Sequence, residues 1–240
     1  MSDPLLLRYL QPLLAGRRSE CLSLIRSAVG DGRPAAEVIR HVVWPAMKHV
    51  ESMYRDDRLN QAMENMASRI NRTIAHQLQE HLQINPRRDK RMLVISSRNH
   101  REEISAEIMA DLFEADGWDA FFICGGVPHD EIVTLLGELR PQITLIFGAE
   151  PEDVPHTRRL VEHIRDIGVC PQMNIVVTGG VFNRADGLWQ EVGADIFAAE
   201  PDDVIQLANE LRPREPNAPK HMGIVKKRRR KRKNALAATA

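Results

Sequence analysis

The chain of 240 residues has no apolar run approaching the ~20 residues that cross a bilayer, so no membrane-spanning helix is expected. Cysteine is scarce. Cys21, Cys124 and Cys170 are odd in number and far apart, which excludes a disulfide framework and a zinc pattern and suits a reducing cytoplasm. Neither Gly-x-G-x-x-Gly nor a P-loop Gly-Lys-Ser/Thr occurs, so dinucleotide and nucleoside triphosphate use lack support. A nucleophile elbow, His-Glu-x-x-His and a cysteine pair are also missing, and the nine histidines are scattered. The chain therefore reads as a non-enzyme. The opening MSDPLLLRYLQPLLAGRR begins acidic and is broken by Arg8 and two prolines. It predicts an amphipathic helical arm over residues 1–17 rather than a signal peptide.

One-sided charge is absent only on average. Lys and Arg number 33, as do Asp and Glu. Eight of the basic residues are consecutive: Lys226, Lys227, Arg228, Arg229, Arg230, Lys231, Arg232 and Lys233. Without those eight, 25 basic residues face 33 acidic ones, leaving an acidic body at −8. The tract fits non-specific contact with phosphate backbones, an anionic surface, or the acidic body itself. No aromatics interleave it, so base reading by this segment is not expected. Residues 212–240 turn Pro-rich, then basic, then Ala-rich, which predicts a disordered tail.

What is present is a hydrophobic content of 43%, enough for a real core. Residues 18–84 show 3–4 spacing and predict four helices, over 19–29, 35–40, 41–53 and 61–81. Gly30-Asp31-Gly32 stops the first, Pro34 opens the second, and Asn60 caps the last. The expected inward face of that last helix is Ala62, Met66, Arg69 or Ile70, Thr73 or Ile74, and Gln77 or Leu78. Asn85-Pro86-Arg87-Arg88-Asp89-Lys90 is a polar boundary. Beyond it, apolar runs at 92–96, 120–124, 143–147, 174–178 and 195–198 alternate with helices at 103–116, 128–139, 155–168, 185–192 and 201–211. That alternation predicts an α/β fold with a doubly wound parallel sheet over 90–211.

The stretch MLVISSRNHREEISAEIMADLFEADGWDAFFICGGVPHDEIV, residues 92–133, is the most informative. It is a βαβ unit whose polar loop sits at the carboxyl end of its first strand, where open α/β sheets place ligands. It resembles the cobalamin-binding domain of methionine-synthase-like corrinoid proteins and of photosensory B12 regulators. That family ends the strand in Asp-x-His-x-x-Gly, with the His as lower axial ligand of cobalt. Aligned through Ala110-Asp111-Leu112 and Gly117-Trp118, His100 takes the Asp place, Glu102 the His place and Ser105 the Gly place. The resemblance extends to residues 18–211. Trp44-Pro45 to Tyr54 fits the signature of the family's four-helix cap, with Tyr54 in a Trp place, Glu64 matching a Glu and Asn65 replacing a His. Gly179-Gly180 resembles paired glycines near the nucleotide tail, and Gly193-Ala194-Asp195 a late Gly-Ala-Asp. Phe147-Gly148-Ala149 lacks the hydroxyl expected after the third strand.

The resemblance implies a helical cap bundle followed by a Rossmann-like, flavodoxin-like domain with its metal-ligating chemistry lost. Cobalt prefers imidazole over the harder carboxylate of Glu102. Glu102 is expected beside Arg98 or Arg101, or at the helix N-terminus with Glu103. His100 is a rescue ligand only if the loop shifts by two residues. The candidate ligand cleft lies between Tyr54, Glu64 and Asn65 on the cap and Ser97, His100, Glu102, Ser105, Gly148, Gly179 and Gly180 on the sheet. Cobalamin is then a degenerate-motif cofactor. The expected function is a non-catalytic sensor or regulatory module, acting through a protein partner, a homo-oligomer or nucleic acid at the basic tail. A corrinoid carrier for methyl transfer and a ligand-free scaffold are the rival readings.

Overall fold

The structure, a computed structural model, describes residues 3–96, 100–148 and 150–215; the side chains of His100 and Arg101 lie outside this description. So do Ser97, Ala149 and the tract 226–233, together with the expectation of a disordered tail.

Five helices precede the sheet: α1 (Pro4–Leu14), α2 (Arg18–Gly30), α3 (Ala35–Val38), α4 (Trp44–Arg55) and α5 (Gln61–Gln79). A π-helical turn, Ile39–Val43, joins α3 to α4. Pro45 has no N–H to give the carbonyl four residues back and crowds it, so the backbone widens there. Asn60 caps α5, its side chain accepting from the Met63 N–H at 2.9 Å. The arm helix α1 is built into the bundle. Tyr9 and Leu13 are fully buried, and the Tyr9 hydroxyl donates to Asn71 Oδ1 at 2.7 Å.

The face of α5 differs from the expectation. Glu64, Ala67, Ile70, Asn71, Ile74, Ala75 and Leu78 are buried, while Ala62 and Met66 are exposed. The helix is rolled by about one position because two polar residues, Glu64 and Asn71, have partners inside. Apolar spacing alone cannot signal that.

Strands β1 (Arg91–Ile95), β2 (Asp119–Ile123), β3 (Ile143–Phe147), β4 (Asn174–Thr178) and β5 (Ile196–Phe197) form one sheet in the order β2-β1-β3-β4-β5. All four pairings are parallel. The chain reverses direction across the sheet between β1 and β3, where such folds open a crevice at the strands' carboxyl ends. Side chains alternate as the pleat requires. Met92 and Val94 join the core shared with α6 (His100–Ala115), α11 (Pro201–Glu210) and the bundle. Leu93 and Ile95 join the opposite core with α7 (His129–Leu139) and α8 (Val154–Ile167). A 3-10 turn, Pro151–Asp153, leads into α8.

Instead of one helix at 185–192, two short ones form: α9 (Gly180–Arg184) and α10 (Leu188–Glu191). Ala185 is extended and Gly187 left-handed at φ 77°, which ends the first helix and starts the second. The boundary 85–90 is strapped to the sheet. Asn85 N–H donates to Ala115 O at 2.8 Å and Arg88 N–H to Gly117 O at 2.8 Å. Gly117 has φ 93°, and a Cβ there would stand 2.2 Å from Pro86 O, so only glycine fits.

Tyr9→Phe should leave a buried Asn71 oxygen unsatisfied and cost about 1–3 kcal/mol. Replacing both by apolar groups, Tyr9→Phe with Asn71→Leu, should recover part of that loss. Urea midpoints of the three proteins check both outcomes.

Candidate functional site

The cap sits directly on the carboxyl edge of the sheet. Helix α4 brings Trp44, Met47, Lys48 and Glu51 over it, and α5 adds Glu64 and Ser68. From below come Glu102, Ile104, Ser105, Phe147, Gly179, Gly180 and Asn183. The space left between them is about 50 Å3. Pockets that hold drug-sized ligands run to about 300–1,000 Å3, so a corrin ring has no room while the cap is seated.

Glu102 is the centre of this arrangement. It stands in the first turn of α6, is 6% exposed, and its Oε1 accepts from the Gly180 N–H at 3.2 Å. Gly179 has φ 91°, and a Cβ on it would meet Glu102 Oε2 at 2.6 Å. The paired glycines therefore form a backbone cradle that the carboxyl group fills. Burial pushes the Glu102 carboxyl up to about 7; the Glu51 charge adds to this, while the Gly180 N–H and Arg184 oppose it. Among the described residues, the partner of Glu102 is a backbone amide across the cleft; Arg98 and the Arg101 side chain lie outside that description.

Gly148 faces a similar closure, since a Cβ there would stand 2.5 Å from Phe182 Cε2. The Phe182 ring packs directly over Gly148, leaving no room for a side chain there. Glu64 is buried and accepts from Ser68 Oγ at 2.7 Å. Ser105 is half-buried at the cavity wall. Two expected members are elsewhere. Asn65 is exposed on the outer side of α5, accepting from Arg69 Nε at 3.1 Å. Tyr54 packs half-buried against the bundle core and does not line the cavity.

Sequence reasoning also missed the seam around the cleft. Arg184 Nη1 bonds Glu51 Oε1 at 2.9 Å, Arg40 Nε pairs with Asp202 at 2.8 Å, and Lys48 pairs with Glu200. Along α5 and α6, Arg72 pairs with Glu103, and Gln79 Nε2 donates to Asp111 Oδ1 at 2.7 Å. Burial raises Asp111 to about 7, helped by Glu107 and Glu114. No periodicity signals a cap-to-sheet ion pair.

Among the described residues, the donors at the cleft do not suit cobalt: no histidine is among those lining the cavity, and the carboxylates there are hard donors. Among the described residues, no group of three or more His, Cys, Asp or Glu could hold a metal ion.

Residues 5–79, which include α1, match the model of the family described as B12 binding domain. The helical unit is thus similar to that domain. A monomethylamine corrinoid protein of Methanosarcina barkeri superposes with a TM-score of 0.75 at 14% identity, covering 85% of this chain and 97% of that one. A cobalamin-binding protein from Desulfitobacterium hafniense gives 0.47 at 19% identity, over 88% and 98%. The methanol:cobalamin methyltransferase complex of M. barkeri gives 0.44 at 13%, over 88% and 80%. The fold likeness rests on the first, which spans cap and sheet together. No curated protein matches the chain.

Glu102 sets a pH dependence. Its folded pKa lies above the ordinary 4.5, so the stability it contributes is complete below pH 4.5 and is lost as pH rises through about 7. Across that window the wild type should lose on the order of 3 kcal/mol more than Glu102→Gln. Asp111 titrates in both proteins and cancels in the difference. Denaturation midpoints at stepped pH read it; parallel curves for the two proteins would place the Glu102 carboxyl in water.

Proposed function

We propose that this chain is a non-catalytic regulatory module of the cobalamin-binding fold whose corrin cleft is closed by its own side chains. One observation carries the reading. The residue at the axial-ligand place is a buried carboxyl that accepts a hydrogen bond from Gly180, the second of the paired glycines, leaving about 50 Å3 under the cap. In this reading Glu102 occupies the cradle at Gly179-Gly180, and Phe182 occupies the space over Gly148. Cobalamin then lacks both a protein imidazole and a channel for its tail. The chain's signal is the seating of the cap, read by a protein partner that contacts the seam of Glu51, Arg184, Lys48 and Glu200. The basic tract at 226–233 supplies a second, salt-sensitive contact with an anionic partner.

A second reading, a corrinoid carrier for methyl transfer, is favoured by the 0.75 superposition on a corrinoid protein. It requires the cap to lift and His100 to reach cobalt.

The test is a titration of purified protein with adenosyl-, methyl- and hydroxocobalamin in the dark, followed by desalting and an absorption spectrum. The proposal expects a colourless protein. Corrin retained at one per chain would overturn it, and loss of that corrin in His100→Ala would establish the carrier reading.

A further inference from the structure

The face of the sheet away from the cap holds a different cluster. His129 opens α7 directly after Pro128, and His156 stands in the first turn of α8. Their helices are fixed side by side by Ile132, Val133 and Leu136 against Leu160, Val161 and Ile164, all buried in one core. The two Nε2 atoms are 3.1 Å apart. The ring centroids are 4.4 Å apart at 55°, so the rings lean beside each other rather than meeting along one N–H···N line.

Two imidazole nitrogens bound to one zinc ion at about 2.0–2.1 Å, in tetrahedral or squarer geometry, stand about 3.0–3.4 Å apart. The observed spacing falls in that window. Burial and the neighbouring His156, His163 and Arg159 lower the pKa of His129, which favours the neutral, ligating form. Beside His156 lies a cavity of about 330 Å3, bordered also by Glu152, Asp153 and Thr157, at the carboxyl ends of β1 and β3. It has space for water or a small external donor. His163 is held apart by Asp130, with Nε2 2.8 Å from Oδ1.

We propose that His129 and His156 form a two-imidazole site for a borderline divalent transition ion such as Zn2+, Ni2+ or Cu2+, its remaining positions filled by water or an external ligand. The ion types follow from the donors, since imidazole suits these metals and not Mg2+ or Ca2+. With two protein donors the site is weaker than a four-ligand structural zinc site and open to exchange. It is independent of the cleft under the cap.

The test uses the full chain without an affinity tag. Zn2+ is titrated calorimetrically near neutral pH, and Cu2+ is followed by electron paramagnetic resonance. One Zn2+ per chain is expected, weakening by more than about tenfold in His129→Ala and in His156→Ala. The exposed His49→Ala variant should bind like the wild type. Binding should fade as pH falls below the ordinary histidine value of about 6.5 and protons compete with the ion for the two imidazoles. The Cu2+ spectrum of the wild type should carry two nitrogen donors, a readout independent of how the variants fold. Absence of Zn2+ binding, wild-type affinity in His129→Ala with His156→Ala, or a Cu2+ spectrum without two nitrogens would overturn the proposal. The 3.1 Å spacing would then be an imidazole–imidazole hydrogen bond.

Discussion

A carboxyl group held out of water between two layers of structure governs this protein. Glu102 belongs to α6, its hydrogen-bond donor Gly180 to the start of α9 after β4, and the like charge of Glu51 to α4. Ionising such a group in an apolar setting is expensive, and one amide donor offsets only part of the penalty. The neutral acid is therefore favoured over a range where an exposed glutamate would be charged. Its position also dictates glycine at 179, because any Cβ there would meet the carboxyl oxygen at 2.6 Å. A histidine at 102 would instead present a ring to the same cradle, a different shape with different protons. The substitution and the cradle form one unit that has to be read together.

The ion pairs around the seam are conspicuous but do not hold the cap. Lys48, Glu200, Arg40 and Asp202 are partly or largely exposed, and pairs of that kind contribute about 0–1 kcal/mol each. The stronger tie is apolar. The bundle and one face of the sheet share a continuous core, in which Ile74 and Leu78 of α5 join Ile104 and Ile108 of α6. Fully burying each such side chain stabilises by about 1.5–3 kcal/mol. Lifting the cap far enough to admit a large planar ligand would uncover part of that surface. A ligand must supply the difference through contacts it makes only in the open form. The seam pairs set where the cap sits, and the shared core sets how hard it is to move.

Much of the fold was legible in the sequence for a simple reason. Strands such as Ile143–Phe147 and Asn174–Thr178 are buried on both faces, so they read as short, mostly apolar and β-branched runs. Caps and stops were local and readable too, as at Asn60 and Gly30. The errors arose where polarity and burial disagreed. Glu64 and Asn71 turned the inner face of α5 away from the apolar count, and Gly187 split a helix whose pattern looked continuous. Glu102, Gly179 and Gly180 were each visible as candidates through the family resemblance. Their meeting was not, because it depends on a left-handed glycine and on a segment 78 residues away. The His129–His156 pair carried no linear signature at all, being made by two helices lying side by side.

The two faces of the sheet have been treated differently, and the difference follows from where polar groups find partners. On the cap face, every filled position removes a requirement that a bound corrin would make. By the family resemblance, the Glu102 carboxyl stands at an imidazole's place, and Asn65 turns outward where a cap ligand is expected, while the Phe182 ring packs over Gly148. Loss at one of these positions would weaken a site. In the proposed reading, closure at all of them makes the cleft a packed joint, and a packed joint transmits position rather than chemistry. On the opposite face, the crevice between β1 and β3 stays open at about 330 Å3 and keeps histidine at its border. An open sheet of this type places its ligands at such a crevice. In this protein the open part of the carboxyl edge is the one the cap does not cover.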